Sequence, residues 1–392
     1  MSKLYKIQLI PQGSFFFGNE NTFGDNNQNY FVRSNYFPQQ TSLLGMLRYE
    51  LLKSSPEVFK NNKITDKVGA INLIGAQSFV NEKKRGDFGI IKNIYPVFIE
   101  DYKHGINWFV KPNDESQLNN KDVLIPNTLK KNANHFLLEN YDPKIGFTPL
   151  LARKVQNPKK DEKKDNNFMK FDFEQDENGI RTKKSGPFIT CEQVGIRKSI
   201  GKYRADKEES ADNKKGFYKQ VTFKLDDNYC FSFFAELNDT ILDTQKERYI
   251  QLGGEKSTFK MDIVEIDTTD ISNSIENTYY ITAKAPEIYK KVILLSDAFL
   301  NLNQIEKSCF HISNTVSFRC ISTTVKETSD YVNMSKSKGS SLYKSKNINL
   351  ISKGSVFFFD AKTENETILE IFKNECFQQI GYNHIQIIKP EK

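Results

Sequence analysis

One stretch constrains this chain more than any other: N-Y-F-V-R-S-N-Y-F-P-Q-Q-T-S-L-L-G-M-L-R-Y-E-L-L, running from Asn29 to Leu52. Pro38 keeps Phe37 out of the helical region. Thr41 or Ser42 then stands where a side-chain oxygen accepts from an orphan amide as N-cap. Leu43, Leu44, Met46, Leu47, Leu51 and Leu52 follow at helical spacing. The pattern predicts an extended segment, a turn and an amphipathic helix. The first amides of that helix, at the positive end of its dipole, form a seat for an anion such as phosphate. Just upstream and at the mouth lie Arg33, Asn35, Tyr36, Gln39 and Gln40, which are one cation, one ring and three carboxamides. Arg48 adds a second cation on the helix itself. This mixture suits RNA. The same residues also suit an ordinary packed helix with polar neighbours in water, and local chemistry leaves both readings open.

The flanking chain predicts an α+β protein. Tyr5, Ile7 and Leu9 alternate with Lys6 and Gln8 as in a half-buried strand, which Pro11-Gln12-Gly13 ends. An aromatic run, Ser14 to Gly18, leads into an Asn-rich loop, and Ile71 to Phe79 and Ile94 to Ile99 read as further strands. Tyr102 to Leu151 is irregular, a connection with short strands, and Asn157 to Asn178 is charged and poor in apolar residues, the composition of a flexible surface insertion. Val194 and Ile196, then Tyr218, Val221, Phe223 and Leu225, frame a long charged tip and predict a projecting hairpin. Phe231 to Phe234 reads as a buried strand, followed by the Gly253-Gly254-Glu255 triplet. Two glycines there let a backbone approach another backbone or a ligand closely, or simply form a turn. Near the end, Lys353-Gly354 precedes an apolar strand, Asn365 caps a helix bearing Ile368, Leu369, Phe372 and Cys376, and Ile385 to Ile388 is the last strand. The expected division is an N-terminal half over 1–155, a charged insertion over 156–190 and a C-terminal half over 191–392.

The chain of 392 residues has a formal charge of +7, and the distribution of that charge says more than its sum. Arg181 to Lys224 holds twelve Lys and Arg against five acids, an excess equal to that of the whole chain. Tyr331 to Gly354 holds five Lys and no acid. Two basic segments on a near-neutral body are the footprint of a polyanion-binding face, although solvated loops also carry such runs. The five cysteines lack any C-x-x-C or matching His pair, so neither a disulfide framework nor structural zinc is expected, and a reducing compartment is. The apolar run before Pro11 is too short for a signal peptide and no segment is long enough to span a bilayer, so the expected location is the cytoplasm.

Four elements in order carry a resemblance: the L-L-G-M-L-R helix start, V-G-I with its return through G-F-Y (Val194 onward), L-G-G-E at Leu252, and G-S-V-F-F-F at Gly354. They resemble the RAMP superfamily of CRISPR proteins, and within it the third subunit of the type III-B (Cmr) effector complex. The resemblance covers most of the chain. It implies two ferredoxin-like (RRM-like) halves with a projecting β-hairpin and several insertions. It also implies that the hairpin wedges against guide RNA, with Arg197, Lys198, Lys202, Tyr203 and Arg204 neutralising backbone and stacking bases. Thr41, Ser42, Gly254, Lys353 and Gly381 complete the implied RNA-facing set. One departure stands out. The family's glycine-rich C-terminal loop is reduced here to Gly381-Tyr382-Asn383-His384, which keeps a single glycine.

The implied role is a non-catalytic subunit that caps the 5′ tag of the CRISPR RNA. Its implied partners are a large polymerase-like subunit, an adjacent RAMP backbone subunit and, indirectly, target RNA. No cofactor, metal or membrane is expected. The four histidines are far apart and no nucleophile or phosphate-loop motif is present. An alternative is a RAMP endoribonuclease that matures the guide, for which His384 is the one candidate group. Another is the equivalent capping subunit of a type III-A (Csm) complex.

Overall fold

The computed structural model of the chain describes residues 2–18, 30–81, 84–117, 124–132, 135–139, 141–154, 167–182, 185–197, 216–238, 242, 244, 246–267, 270–322 and 343–390. Strand β1 (Lys3–Pro11) is its centre, because Tyr5, Ile7 and Leu9 alternate onto one face and are completely buried there. Next come β2 (Tyr30–Arg33), helix α1 (Gln40–Lys53) and helix α2 (Lys67–Ile74). Strands β3 (Ile91–Ile94), β4 (Phe98–Asp101), β5 (Ile106–Val110), β6 (Leu150–Ala152) and β7 (Phe168–Lys170) follow. Two ten-residue strands, β8 (Phe188–Arg197) and β9 (Gly216–Leu225), form the hairpin. The chain then returns through β10 (Tyr229–Leu237), β11 (Arg248–Gln251) and β12 (Thr258–Ile266).

These strands build a nine-stranded antiparallel sheet in the order β7-β6-β5-β4-β10-β1-β12-β11, with β3 also on β10. Helix α1 lays Leu43, Leu44, Leu47, Leu51 and Leu52 on the face of β1 that carries Tyr5, Ile7 and Leu9. Each such side chain contributes roughly 1.5–3 kcal/mol by leaving water. The hairpin forms a second, three-stranded sheet, in which β2 runs parallel to β9 and places Arg33 beside Val221.

A third sheet follows from β13 (Tyr289–Leu294), a short helix α3 (Leu302–Ile305), β14 (Phe310–Ile312) and β15 (Val356–Asp360). Helices α4 (Asn365–Phe372) and α5 (Glu375–Gln379) lead to β16 (Ile385–Ile388). Its order is β14-β15-β13-β16, again antiparallel.

Five expectations change. Ile94 to Ile99 is not one strand, because β3 ends at Ile94 and β4 begins at Phe98, with Pro96 between them. Ile71 lies in α2 and not in a strand, because Asp66 accepts from the Val68 amide and caps a helix that Gly75 ends. Helix α1 begins earlier than expected, with Gln39 as a cap residue that makes no side-chain capping bond, so Thr41 and Ser42 sit inside the first turn. Asn365 is the first residue of α4, after Glu364, and Cys376 belongs to a separate helix capped by Asn374. Finally, the strands cut across the expected division. β1 pairs with β10 and β12, from beyond residue 191, and the stretch read as a flexible insertion contributes β7 and the buried Phe168, Met169, Phe171 and Phe188. The apolar alternation Met169, Phe171, Phe173 in F-M-K-F-D-F was the overlooked signal; residues 155–166 lie outside the described residues.

Candidate nucleic-acid interface

The mouth of α1 faces inward. Gln40, only 4% exposed, donates through Nε2 to the carbonyls of Tyr95 (3.2 Å) and Gly381 (3.0 Å). Gly381 is there for two reasons: its φ is +94°, and a Cβ would lie 2.0 Å from that same Nε2. The next residue, Tyr382, packs its buried ring on Phe318 and Phe377. Its phenol oxygen lies within hydrogen-bonding reach of the Gln40 and Thr41 amides and the Thr41 hydroxyl. Burial, reinforced by Asp297, pushes the Tyr382 phenol well above its ordinary range, so it stays neutral. The Ser42 and Leu43 amides both donate to the Gln39 carbonyl. The expected anion seat is therefore filled by the protein itself, and Gln40, Thr41 and Gly381 belong to an internal contact.

The root of the hairpin faces outward. Arg33 is exposed, its guanidinium 5.4 Å from the ring centroids of both Tyr36 and Phe223, and its Nη2 donates to the Tyr36 hydroxyl at 2.6 Å. Tyr36 in turn donates to Asp172 at 3.1 Å and stacks on Phe223 at 4.5 Å. Burial, with Asp172 adding to it, pushes the Tyr36 phenol up to about 12. One face of the Tyr36 ring is thus already taken by Phe223, and the ring serves as a platform for Arg33. Asn35 is tied to the Gly18 carbonyl by its Nδ2 at 3.2 Å.

Between these two regions opens a cleft of about 320 Å³, walled by Asn35, Gln39, Lys111, Asp297, Phe318 and Lys353 among others. Lys353 is half-buried, with Nζ 3.4 Å over the ring centroid of Phe37. Burial lowers its ammonium to about 8, against the opposing pull of Asp297, so the charge is desolvated yet present at neutral pH. Behind the cleft a buried ion cluster joins the third sheet to the segment that follows β5. Lys291 on β13 reaches Asp114 at 2.9 Å and Glu115 at 2.7 Å, all three at most 4% exposed in their side chains. Burial opposes the Lys291 charge, but the two carboxylates outweigh it and hold the ammonium above its ordinary value. None of Lys291, Asp114, Glu115 or Asp297 was singled out from the sequence, because nothing local marks residues that meet only across sheets.

Other expected contacts lie elsewhere. Arg48 is 2% exposed and donates to the carbonyls of Ile74 and Gly75, closing the end of α2. The Gly254 amide donates to the Phe16 carbonyl, and a Cβ on Gly253 would lie 2.4 Å from that oxygen. The double glycine seats the S-F-F-F-G run against the sheet, which is the backbone-to-backbone reading of the triplet. Arg197 ends β8, while Lys198, Lys202, Tyr203 and Arg204 lie outside the described residues. His384 sits apart from the cleft wall, its Nε2 3.3 Å from the Gln378 carbonyl, and burial lowers it to about 4. Among the described residues no cluster of His, Cys, Asp and Glu could hold a metal ion, and no helix is long and apolar enough to cross a membrane.

Fold and site together define an α+β protein of mostly antiparallel sheets, with a cleft of mixed apolar and polar walls and a cation at the root of the β8–β9 hairpin. The family profile described as CRISPR-associated protein (Cas_Cmr3) matches residues 7–390. The chain belongs to this family. Among solved structures it is similar to a chain of a type III-B Cmr-beta complex bound to cognate target RNA and AMPPnP, at 14% identity, 98% of this chain, 99% of that chain and a TM-score of 0.42. A chain of Cmr-beta bound to cognate target RNA gives 17%, 98%, 96% and 0.44. A chain of a type III-A Csm3-Csm4 subcomplex gives 13%, 91%, 93% and 0.33. No curated protein matches the sequence.

Proposed function

We propose that this chain is a non-catalytic, CRISPR-RNA-binding subunit of a type III-B (Cmr) effector complex and that it caps the 5′ tag of the guide. The observation that carries the reading is the exposed Arg33 on its aromatic platform, beside a cleft that holds the desolvated Lys353 ammonium. Phosphates run past Arg33 toward the basic hairpin, and the carboxamides of Asn35 and Gln39 and the Lys353 ammonium meet tag bases or sugar in the cleft. Family membership over nearly the whole chain supports the CRISPR assignment. The first and third sheets are read as two ferredoxin-like halves. Counted in chain order within each, the four principal strands fall in the same 2-3-1-4 arrangement.

In this reading the protein docks on the large polymerase-like subunit and beside a RAMP backbone subunit, and it meets target RNA only indirectly. His384, kept neutral by burial and turned to a backbone carbonyl, is a structural residue in it. The test is purification of the complex with its bound RNA, followed by sequencing. Guides sharing one 5′ tag are expected, with no cleavage of repeat RNA by the subunit alone. Arg33→Ala with Gln39→Ala is expected to weaken binding of tagged guide about tenfold while leaving the melting temperature unchanged. Equal affinity in parent and double variant would remove this site.

A further inference from the structure

The Gly381-Tyr382-Asn383 segment connects the mouth of α1 to the Lys353 wall of the cleft through an unbroken set of contacts. Gln40 bridges the Tyr95 and Gly381 carbonyls, and so stitches the first turn of α1 to the β3–β4 connection and to the third sheet at once. Gly381 leaves no room for a side chain against Gln40. Asn383 is fully buried at φ +57°, a conformation that its short amide tolerates. Its side chain accepts from the Phe299 amide at 2.8 Å and donates to the carbonyls of Phe299 (3.1 Å) and Phe372 (3.0 Å). Its own amide donates to the Asp297 carbonyl at 3.0 Å. The Asp297 carboxylate then accepts from the Lys353 amide at 2.8 Å. Two left-handed or glycine-only backbone positions in three residues, each over-determined by buried hydrogen bonds, mark a segment built to hold one geometry.

We infer that Gln40 and the Gly381–Asn383 segment form a latch that positions Lys353 across the cleft from Gln39 and Asn35. They are positioning residues, acting through Lys353: Gln40 and Tyr382 also border the cleft, but the Gln40 amide hydrogens are spent on the Tyr95 and Gly381 carbonyls. The inference rests on the RNA reading above and deepens it. A segment that resembles a loop expected to cradle RNA backbone is here spent on holding the two sheets at one spacing. The consequence is that the latch is coupled to Lys353, which a merely structural contact would not be.

The experiment is a double-mutant cycle on the full chain, reading affinity for a guide RNA that carries its 5′ tag against the same RNA without it, together with the melting temperature. The parent is measured first. A preference for tagged RNA is the premise, and its absence would remove the RNA reading and the latch's role with it. Gln40→Met removes both hydrogen bonds at similar side-chain length. It is expected to cut the tag preference about fivefold to tenfold in the parent, and less than about twofold in a Lys353→Met background. Gly381→Ala, which collides with Gln40, is expected to match it, and Gln40→Met stands alone where that variant does not fold. Unchanged preference at a lowered melting temperature would overturn the latch. So would an equal loss in both backgrounds, which would make Gln40 an independent contact.

Discussion

The mouth of α1 and the root of the hairpin are separated by only a few residues of sequence, and both carry the polar mixture that suits RNA. They end in opposite environments. At the hairpin root, Arg33 keeps its guanidinium in solvent over Tyr36 and Phe223. At the helix mouth, Gln40 is sealed between two carbonyls, and Arg48, two turns further on, closes the end of α2. A polar side chain on this protein thus serves stability or recognition according to what the far end of the chain brings against it. Inward groups cost stability when removed, since a buried partner is left unpaired. Outward groups cost binding alone.

The sharpest way to break that contrast is at its buried extreme. Lys291→Ala strips Asp114 and Glu115 of their direct ion-pair partner and leaves only the buried Lys111 ammonium nearby, and an unfolding titration is expected to show a loss of about 3–5 kcal/mol. A loss under about 1 kcal/mol would mean that the cluster is solvated and the inward class wrongly drawn.

A middle-sized effect comes from pH. His384 is held at about 4 in the fold, against an ordinary value of 6.5. Between those values the unfolded chain takes up a proton that the folded chain refuses, so stability is lost as pH falls from about 6.5 toward 4. The parent should lose on the order of 2 kcal/mol more than His384→Gln over that window, read from paired denaturation curves. Parallel curves would place the imidazole in solvent.

Lys353 tests the boundary between the classes, being half-buried and without a carboxylate against its ammonium strong enough to offset burial. Lys353→Met is expected to leave stability unchanged or slightly raised, because a desolvated charge disappears. It is expected to weaken tagged-RNA binding about threefold to tenfold and to lower the salt slope of binding by about 1. Affinity of the parent should also fall above pH 8, as that ammonium loses its proton, and the variant should not follow it. A destabilised variant with intact binding would move Lys353 into the inward class.

Much of this arrangement was legible in local pattern. Alternation over Tyr5, Ile7 and Leu9 specified β1, the leucine spacing specified α1, and the unbroken aromatic run Phe357–Phe359 specified the buried β15. Each is a repeat that satisfies its own backbone within a few residues and leaves one apolar face to bury. The hairpin was legible for the same reason, as two apolar runs framing a polar tip. Arg33 was legible as a cation beside Tyr36, its neighbour in sequence and in space, whereas Phe223 and Asp172, which complete its setting, come from far along the chain. The lapses have different causes. Asp66 made a helix of residues that look strand-like, a local cap outweighing an apolar run.

What sequence alone determined, then, is which segments form strands and helices, which faces are apolar and where positive charge gathers. Those properties depend on residues within a turn or a pleat of one another. What only the tertiary structure decided is the role of each polar residue. Gln39 and Gln40 are chemically identical neighbours at the cleft, yet Gln39 is the extended, partly exposed cap residue before α1, whereas Gln40, the first helical residue, is buried because the far end of the chain brings the Gly381 carbonyl against it, 341 residues away.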